Sequence, residues 1–204
     1  MVPLTDRDLV RLYWPVELRP AFDALFAIDD ALGEVVASST QPALGGIRLA
    51  WWRDALERLD SSAPPPEPRL QAAAAELLAR GVSGASLARI AEGWAALFDE
   101  VRDAEAIGAR GEALFAAGAR LLGSNDAQVT EAGRYFALAD VARRGLAPPL
   151  PLAIRRLRFA RPLRPLTEFA RLAVRDLHHG EPFEPEATPA RAMALLAHRW
   201  TGRV

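Results

Sequence analysis

Two long amphipathic helices are predicted between Arg19 and Leu59, and they decide the fold class of the chain. Apolar residues of the first helix recur every three or four positions, as in a helix that buries one face; they are Phe22, Leu25, Phe26, Leu32, Val35 and Val36. Ser38 to Pro42 interrupts this pattern, because proline is tolerated only in the first turn of a helix. Thr40 is the candidate N-cap of the second helix.

The rest of the chain also has helical patterns, separated by proline and glycine. Residues 61–68 (SSAPPPEP) are predicted to form an exposed loop, and five prolines break residues 146–165 into short pieces. We find no period-two alternation typical of a strand and no internal repeat. The prediction is therefore an all-α fold, a single-domain helical bundle over residues 1–204 with about eight helices.

Composition excludes several classes of function. The chain of 204 residues has no cysteine and a formal net charge of −1, and its basic residues are all arginine. Disulfides, thiolate catalysis and cysteine-bound metals are excluded, and the charge balance does not indicate a nucleic-acid partner. No apolar run approaches the ~20 residues of a membrane span. We expect a cytoplasmic protein, with at most peripheral membrane contact.

Acidic residues on the first long helix are the strongest candidates for chemistry. Asp23, Asp30 and Glu34 share a stripe with Arg19. Carboxylates four residues apart repel by a few tenths of a kcal/mol, so a solvated surface is an inexpensive explanation. The functional alternative is half of a Mg²⁺ site that holds a diphosphate, and it needs acids from a second helix.

Three other features have both a structural and a functional interpretation. Adjacent Trp51 and Trp52 must point in different directions, so one is expected in the core and the other against a substrate or partner. His178 and His179 suit the C-terminal end of a helix better than a metal site. The arginine-rich run 155–164 is either a solvated connector or a contact for phosphates or an anionic membrane surface.

Several segments together resemble the squalene/phytoene synthase family. The matching segments are ALFAIDDALGEVV (24–36), IRLAWWRDALERL (47–59), GRYFALADVARRG (133–145) and FARLAVRDLHHGEPF (169–183). The second is most similar to the branch that contains the mitochondrial respiratory complex I assembly factor. The resemblance implies the isoprenoid synthase fold. In active members, two acidic motifs on facing helices bind magnesium and prenyl diphosphates, which are joined head to head through a cyclopropyl intermediate.

The acidic motifs of this chain depart from that family pattern. Alignment without a gap keeps only Glu34 in the first motif, whereas a shift of almost one turn pairs Asp30 with Glu34. In the second motif Asp140 is the only acid, and Arg144 stands where another acid is expected. A positively charged arginine thus stands where a metal-binding carboxylate is expected. The resemblance therefore implies a protein in which the second magnesium-binding wall is lost.

We expect a squalene/phytoene synthase-like protein in which prenyl transfer is weak or absent. Its expected role is to bind a prenyl diphosphate or another apolar ligand in a central cavity, or to bind a partner protein as an assembly factor does. The alternative is an active Mg²⁺-dependent prenyltransferase, and a third option is a helical scaffold with a filled core. The candidate residues are the catalytic carboxylates Asp30, Glu34 and Asp140, of which Asp30 and Glu34 would bind the metal, and the substrate contacts Arg19, Arg48, Trp52, Arg143 and Arg144.

Overall fold

The protein folds as one all-helical unit in a computed structural model that describes residues 4–204. The α-helices in this range are α1 (Asp6–Arg11), α2 (Arg19–Ser38), α3 (Pro42–Arg58), α4 (Pro68–Glu76), α5 (Gly84–Ala95), α6 (Ala104–Leu121), α7 (Gln128–Arg143), α8 (Arg164–His179) and α9 (Pro189–Thr201). Short 3₁₀ turns cover Val16–Leu18, Leu78–Arg80, Ala96–Phe98 and Arg161–Leu163. No strand is present in residues 4–204, where β-pairing is limited to one isolated bridge. The all-α prediction is confirmed.

The predicted central pair of helices is α2 and α3, separated by a break of three residues. Pro42 opens α3 as expected. The cap prediction was wrong, because the N-cap is Gln41 rather than Thr40 and its side chain makes no capping hydrogen bond. The proline supplies the helical backbone angle at this end, and it has no N–H that would need a cap.

Helix ends elsewhere follow local side-chain chemistry. Thr5 and Asp8 form a reciprocal capping box at the start of α1. Ser83 caps α5 and Thr188 caps α9. Helix α5 gives way to the 3₁₀ turn Ala96–Phe98, and Val101 beyond it is 79% exposed.

Helices α6 and α7 cross with their backbones in contact. A Cβ atom added at Gly111 would lie 1.8 Å from the carbonyl oxygen of Gly133, and one added at Gly133 would lie 2.1 Å from that of Gly111. Only glycine therefore permits this approach. The close crossing brings Arg110 of α6 within hydrogen-bond distance of Asp140 on α7.

Stacked aromatic rings join the helices that surround the candidate site. Trp14 packs on Phe22 and Phe26, with ring centroids 4.9 Å and 5.7 Å apart. Phe169 of α8 lies 4.8 Å from Phe26 and 5.6 Å from Phe136 of α7. This cluster locks α2, α7 and α8 together, and Phe136 and Phe169 also reach the surface of a cavity.

The two proline-rich segments differ in structure. Residues 61–67 form a loop, and Pro68 already belongs to α4. Residues 146–160 form no helix, and their last part hydrogen-bonds to residues 202–204. Among the helices of residues 4–204, none is long and apolar enough to cross a membrane.

Candidate functional site

A cavity of about 400 Å³ opens between α7 and α8, bordered by the start of α1 and by Glu186 and Arg191 near the start of α9. One wall is apolar and is formed by Phe136, Phe169 and Leu172. Most of the remaining lining consists of arginine and carboxylate side chains. A concave apolar site with a few convergent polar groups is the usual form of a small-molecule site, and its volume lies within the common range of about 300–1,000 Å³.

Asp30 lies beside this cavity, where two arginines bind it. Arg7 donates to both carboxylate oxygens, and Arg144 Nη2 lies 3.1 Å from Oδ1. Burial works against ionisation, but the hydrogen bonds and charges of the two arginines hold the pKa of Asp30 below its usual value. Asp30 is therefore an ionised, half-buried partner of arginine.

Asp140 lines the cavity and is also shared by two arginines. Arg110 Nη2 donates to Oδ2 at 2.6 Å, and Arg144 Nε donates to Oδ1 at 2.9 Å. Desolvation opposes the charged form, but the two guanidinium groups keep the pKa of Asp140 below its usual value. Arg144 therefore bridges the two predicted acidic motifs, because it contacts Asp30 on α2 and Asp140 on α7.

A fully buried ion pair anchors this arrangement. The guanidinium of Arg110 binds Asp29 through two hydrogen bonds of 2.7 Å and 2.8 Å, and neither side chain is exposed. Trp94 donates its indole N–H to Asp29 at 2.9 Å, and its ring lies 3.9 Å from the guanidinium carbon of Arg110. Coulombic attraction and stacking thus offset the desolvation cost of both charges.

A second buried network borders the opposite part of the lining. Arg191 is 1% exposed and binds both Asp6 and Asp176. Arg143 Nη1 lies 3.2 Å from Asp176 Oδ2, but it is buried without an aligned hydrogen-bond acceptor among the described residues. The Nη2 atom of Arg143 donates to the carbonyl of Glu184. Arg143 Nη1 therefore has an ion-pair partner but no aligned hydrogen bond at the cavity.

Two predicted site residues lie away from the cavity on α2 and α3. Glu34 is exposed and pairs with Arg69 at 3.1 Å. Arg48 is exposed, and its one long side-chain contact is 3.4 Å to Ser38 Oγ. Asp30 and Glu34 share a helix stripe, yet they contact arginines on different elements.

The other two predicted contacts are structural in this arrangement. Arg19 donates to the carbonyl of Leu12 at 3.2 Å and does not line the cavity. Trp52 is 8% exposed and packs edge-to-face on Trp51, which is 47% exposed. The expectation of one core and one exposed tryptophan is confirmed, but the exposed ring is Trp51 and neither ring borders the cavity.

The predicted carboxylates do not fit a magnesium ion in this arrangement. Within the described part of the chain, no group of three or more His, Asp or Glu side chains is placed to share a metal. Arginine donors occupy the oxygens of Asp30 and Asp140 that a cation would require. Magnesium binding therefore stays a prediction without geometric support.

Of the sequence-predicted site residues, Asp140, Arg143 and Arg144 line the cavity and Asp30 lies beside it, but their ion-pair partners were not predicted. The missed arginines are Arg7, Arg110 and Arg191, and the missed acids are Asp6 and Asp176. One sequence signal pointed to Arg110, because it stands among small residues on an otherwise apolar helix face. A charge at such a position is rarely buried without a partner.

Comparison with known proteins found no match. No family model matches the chain, and no curated protein or solved structure matches it. The resemblance to squalene/phytoene synthases thus depends on sequence segments alone.

Proposed function

We propose that the protein binds, without transforming it, an elongated apolar ligand with an anionic head, of which a prenyl diphosphate is the type. The bundle would then be of the isoprenoid synthase type, as the sequence resemblance implies. The support from the structure is a cavity with an apolar wall on one side and guanidinium groups on the other. Ligands of that amphipathic form match both surfaces.

The distribution of spare hydrogen-bonding capacity carries this proposal. The lining has as many carboxylates as arginines, so net charge does not select an anion. Both oxygens of Asp140 and of Asp176 already accept hydrogen bonds from arginines. Arg143 Nη1, in contrast, is buried and makes no aligned hydrogen bond among the described residues, although it lies 3.2 Å from Asp176 Oδ2. An acceptor-rich head such as a phosphate would satisfy that donor.

Binding without turnover is favoured by the same ion pairs. Head-to-head prenyl transfer in active family members depends on magnesium held by carboxylates on facing helices. Here Arg144 stands between Asp30 and Asp140 and, together with Arg7 and Arg110, offsets their charges. The active prenyltransferase stays an alternative that no contact of the described residues specifically favours.

Calorimetry with farnesyl diphosphate, farnesol and inorganic diphosphate tests the proposal, each with magnesium and with a chelator. We expect farnesyl diphosphate to bind most tightly and equally well in both conditions. Arg143→Met should weaken its binding about 10- to 100-fold, because a hydrogen bond to a charged group contributes about 1.5–3 kcal/mol. Arg48→Met is the matched control, because the sequence predicted the same phosphate contact there and the structure places Arg48 outside the cavity.

Unchanged binding in Arg143→Met, or equal losses in both variants, would contradict the assignment of the cavity. Binding that disappears on chelation, followed by product formation, would restore the prenyltransferase. If none of the three compounds binds, the remaining prediction is a partner protein, as for an assembly factor.

A further inference from the structure

A surface separate from the cavity carries arginines that have no acidic partners among residues 4–204. Residues 155–164 and 189–204 contain no aspartate or glutamate. The exposed arginines of these segments are called the basic face here, and they are Arg155, Arg156, Arg158, Arg161, Arg199 and Arg203. Among residues 4–204, none of the six forms an ion pair.

Backbone pairing brings the two segments together. Leu157 and Val204 exchange two backbone hydrogen bonds, and the amide of Phe159 donates to the carbonyl of Gly202 at 2.8 Å. Leu157 and Phe159 are buried, whereas the residues between and beside them are exposed. Arg158 forms an antiparallel bridge with Arg203, and directly opposed residues project from the same face. The fold therefore places like charges side by side.

The end of α9 extends the basic face. Arg164 donates to the carbonyls of Arg199 and Trp200 at 2.7 Å and 3.1 Å, which ties the helix end to the start of α8. A hollow at this junction is lined by Arg161, Arg199 and Trp200, among others, and no carboxylate is part of its lining. The hollow is thus a cationic depression with an indole at its edge.

Apolar side chains lie exposed along the same helix. Met193, Leu196 and Trp200 are 63%, 37% and 78% exposed, and their spacing places them on one side of α9. An apolar helix stripe flanked by arginine is typical of helices that lie in a membrane interface. Tryptophan is also enriched at the headgroup level of bilayers.

The one acid of α8 near this surface does not offset its charge. Glu168 lies one turn after Arg164, is fully buried, and its carboxylate oxygens have no hydrogen-bond partner among the described residues. Burial raises the pKa of Glu168 to about 9, against a smaller opposing effect of Arg199. The carboxyl group is therefore neutral at pH 7.

We propose that the basic face and the apolar stripe of α9 bind a bilayer surface that contains anionic phospholipid. The arginines would contact lipid phosphates, and Trp200, Leu196 and Met193 would enter the headgroup region. A nucleic acid would offer phosphates to the arginines but would leave the methionine and leucine side chains against a charged backbone. The combination of cations and aliphatic groups selects the bilayer.

Sedimentation with vesicles tests this surface. Vesicles that contain phosphatidylglycerol should bind the protein, and vesicles of phosphatidylcholine alone should bind it weakly. The triple variant Arg158→Gln, Arg161→Gln, Arg203→Gln should weaken binding on the order of 100-fold, because each arginine near an anionic surface contributes about a fivefold factor.

The matched control removes the same charge from other helices. Arg58, Arg89 and Arg102 are exposed on α3, on α5 and before α6, and none has an ion pair within residues 4–204. The triple variant Arg58→Gln, Arg89→Gln, Arg102→Gln should bind vesicles within about threefold of the wild type, because screening limits these charges to about 10 Å.

Tryptophan fluorescence tests the insertion of α9 separately. Vesicles should shift the emission of the wild type to shorter wavelength, Trp200→Phe should remove the shift, and Trp51→Phe should retain it. Equal binding to both vesicle types, or equal losses in the two triple variants, would overturn the proposal. So would a preference for single-stranded oligonucleotide over vesicles, or displacement from vesicles by soluble glycerol phosphate as effectively as by competing anionic vesicles.

Discussion

The arginines in and beside the cavity differ from those of the basic face in their electrostatic surroundings. Arg110, Arg144 and Arg191 each bind two carboxylates. The six arginines of the basic face bind none among the described residues. Although the formal net charge is only −1, the charges are unevenly distributed. Acids pair with buried and half-buried arginines, and the basic face stays positive.

This difference separates stability from recognition. Replacing a buried arginine is costly, because the carboxylate that remains is still buried but has no opposite charge to offset its desolvation. An exposed arginine contributes little to folding, because water already solvates it. We therefore expect the removal of an arginine charge to have a large effect on stability beside the cavity and a small one on the basic face.

The largest effect is expected for Arg110→Met. It leaves Asp29 fully buried with no cation, and breaking a buried pair costs about 3–5 kcal/mol. Urea denaturation measures the loss of unfolding free energy. Adding Asp29→Asn to Arg110→Met should recover part of that loss, because it removes the unpaired charge. A loss below about 1 kcal/mol in the single variant would show that the pair is not closed off from water.

The next effect is the pH dependence of stability due to Glu168, whose carboxylate oxygens have no hydrogen-bond partner among the described residues. The pKa of Glu168 is raised by burial to about 9 from 4.5, so the folded state holds a proton that the unfolded chain releases. Stability is present in full below the unfolded pKa and falls as pH rises towards 9, by at most about 1.4 kcal/mol per pH unit.

The pH window for this measurement follows from His198. Burial lowers the pKa of His198 to about 4 from 6.5, so its contribution to stability rises with pH up to 6.5 and opposes that of Glu168. Above pH 6.5 the decline due to Glu168 should stand alone. Thermal denaturation from neutral pH to pH 9 should show it in the wild type, and Glu168→Gln should flatten the curve. The same slope in both proteins would refute the assignment.

A smaller effect is expected at the two predicted metal ligands. Asp30→Asn releases two half-buried arginines and should cost about 1 kcal/mol, since each ion pair retains some solvent. Glu34→Gln is the matched control, because its side chain is 64% exposed and should change stability by a few tenths of a kcal/mol at most. Equal losses of unfolding free energy for the two substitutions in urea denaturation would contradict the difference between half-buried Asp30 and exposed Glu34.

The smallest effect is expected for the triple variant Arg158→Gln, Arg161→Gln, Arg203→Gln. Its unfolding free energy should stay within about 0.5 kcal/mol of the wild type, as for surface substitutions in general. Relief of repulsion between Arg158 and Arg203 even favours a slight gain. A loss of several kcal/mol would mean that these arginines hold the backbone pairing together, and the contrast with the cavity would fail.

Local sequence patterns predicted the helices well, but they did not predict which distant side chains each helix contacts. Thr5, Ser83 and Thr188 cap the starts of α1, α5 and α9, and such caps are local signals because they involve residues only a few positions apart. The stripe of acids on α2 was also predicted, yet Asp30 contacts the cavity arginines and Glu34 contacts α4. A helical stripe specifies a direction from the helix axis, but the partner in that direction comes from distant sequence.

The arginine-rich segment 155–164 also shows that local patterns do not predict distant contacts. The arginine run 155–164 has no helix up to residue 160, forms a 3₁₀ turn at Arg161–Leu163 and enters α8 at Arg164, which agrees with the prolines around it. Its pairing with residues 202–204 was not predicted, because a single bridge between extended segments leaves too short a pattern to detect. That pairing, together with the hydrogen bonds of Arg164 to the end of α9, joins arginines from two segments into one face.

The amino-acid sequence by itself determined the all-α class, most helix ends and the buried helix faces, because these depend on interactions within a few residues. The tertiary structure decided which arginine each carboxylate received, where the cavity opened and which charges remained unpaired. These outcomes depend on contacts such as that of Asp29 with Arg110, which lie 81 residues apart in the chain. Ion pairing acts through distance and burial in space, and neither quantity is encoded in a local pattern.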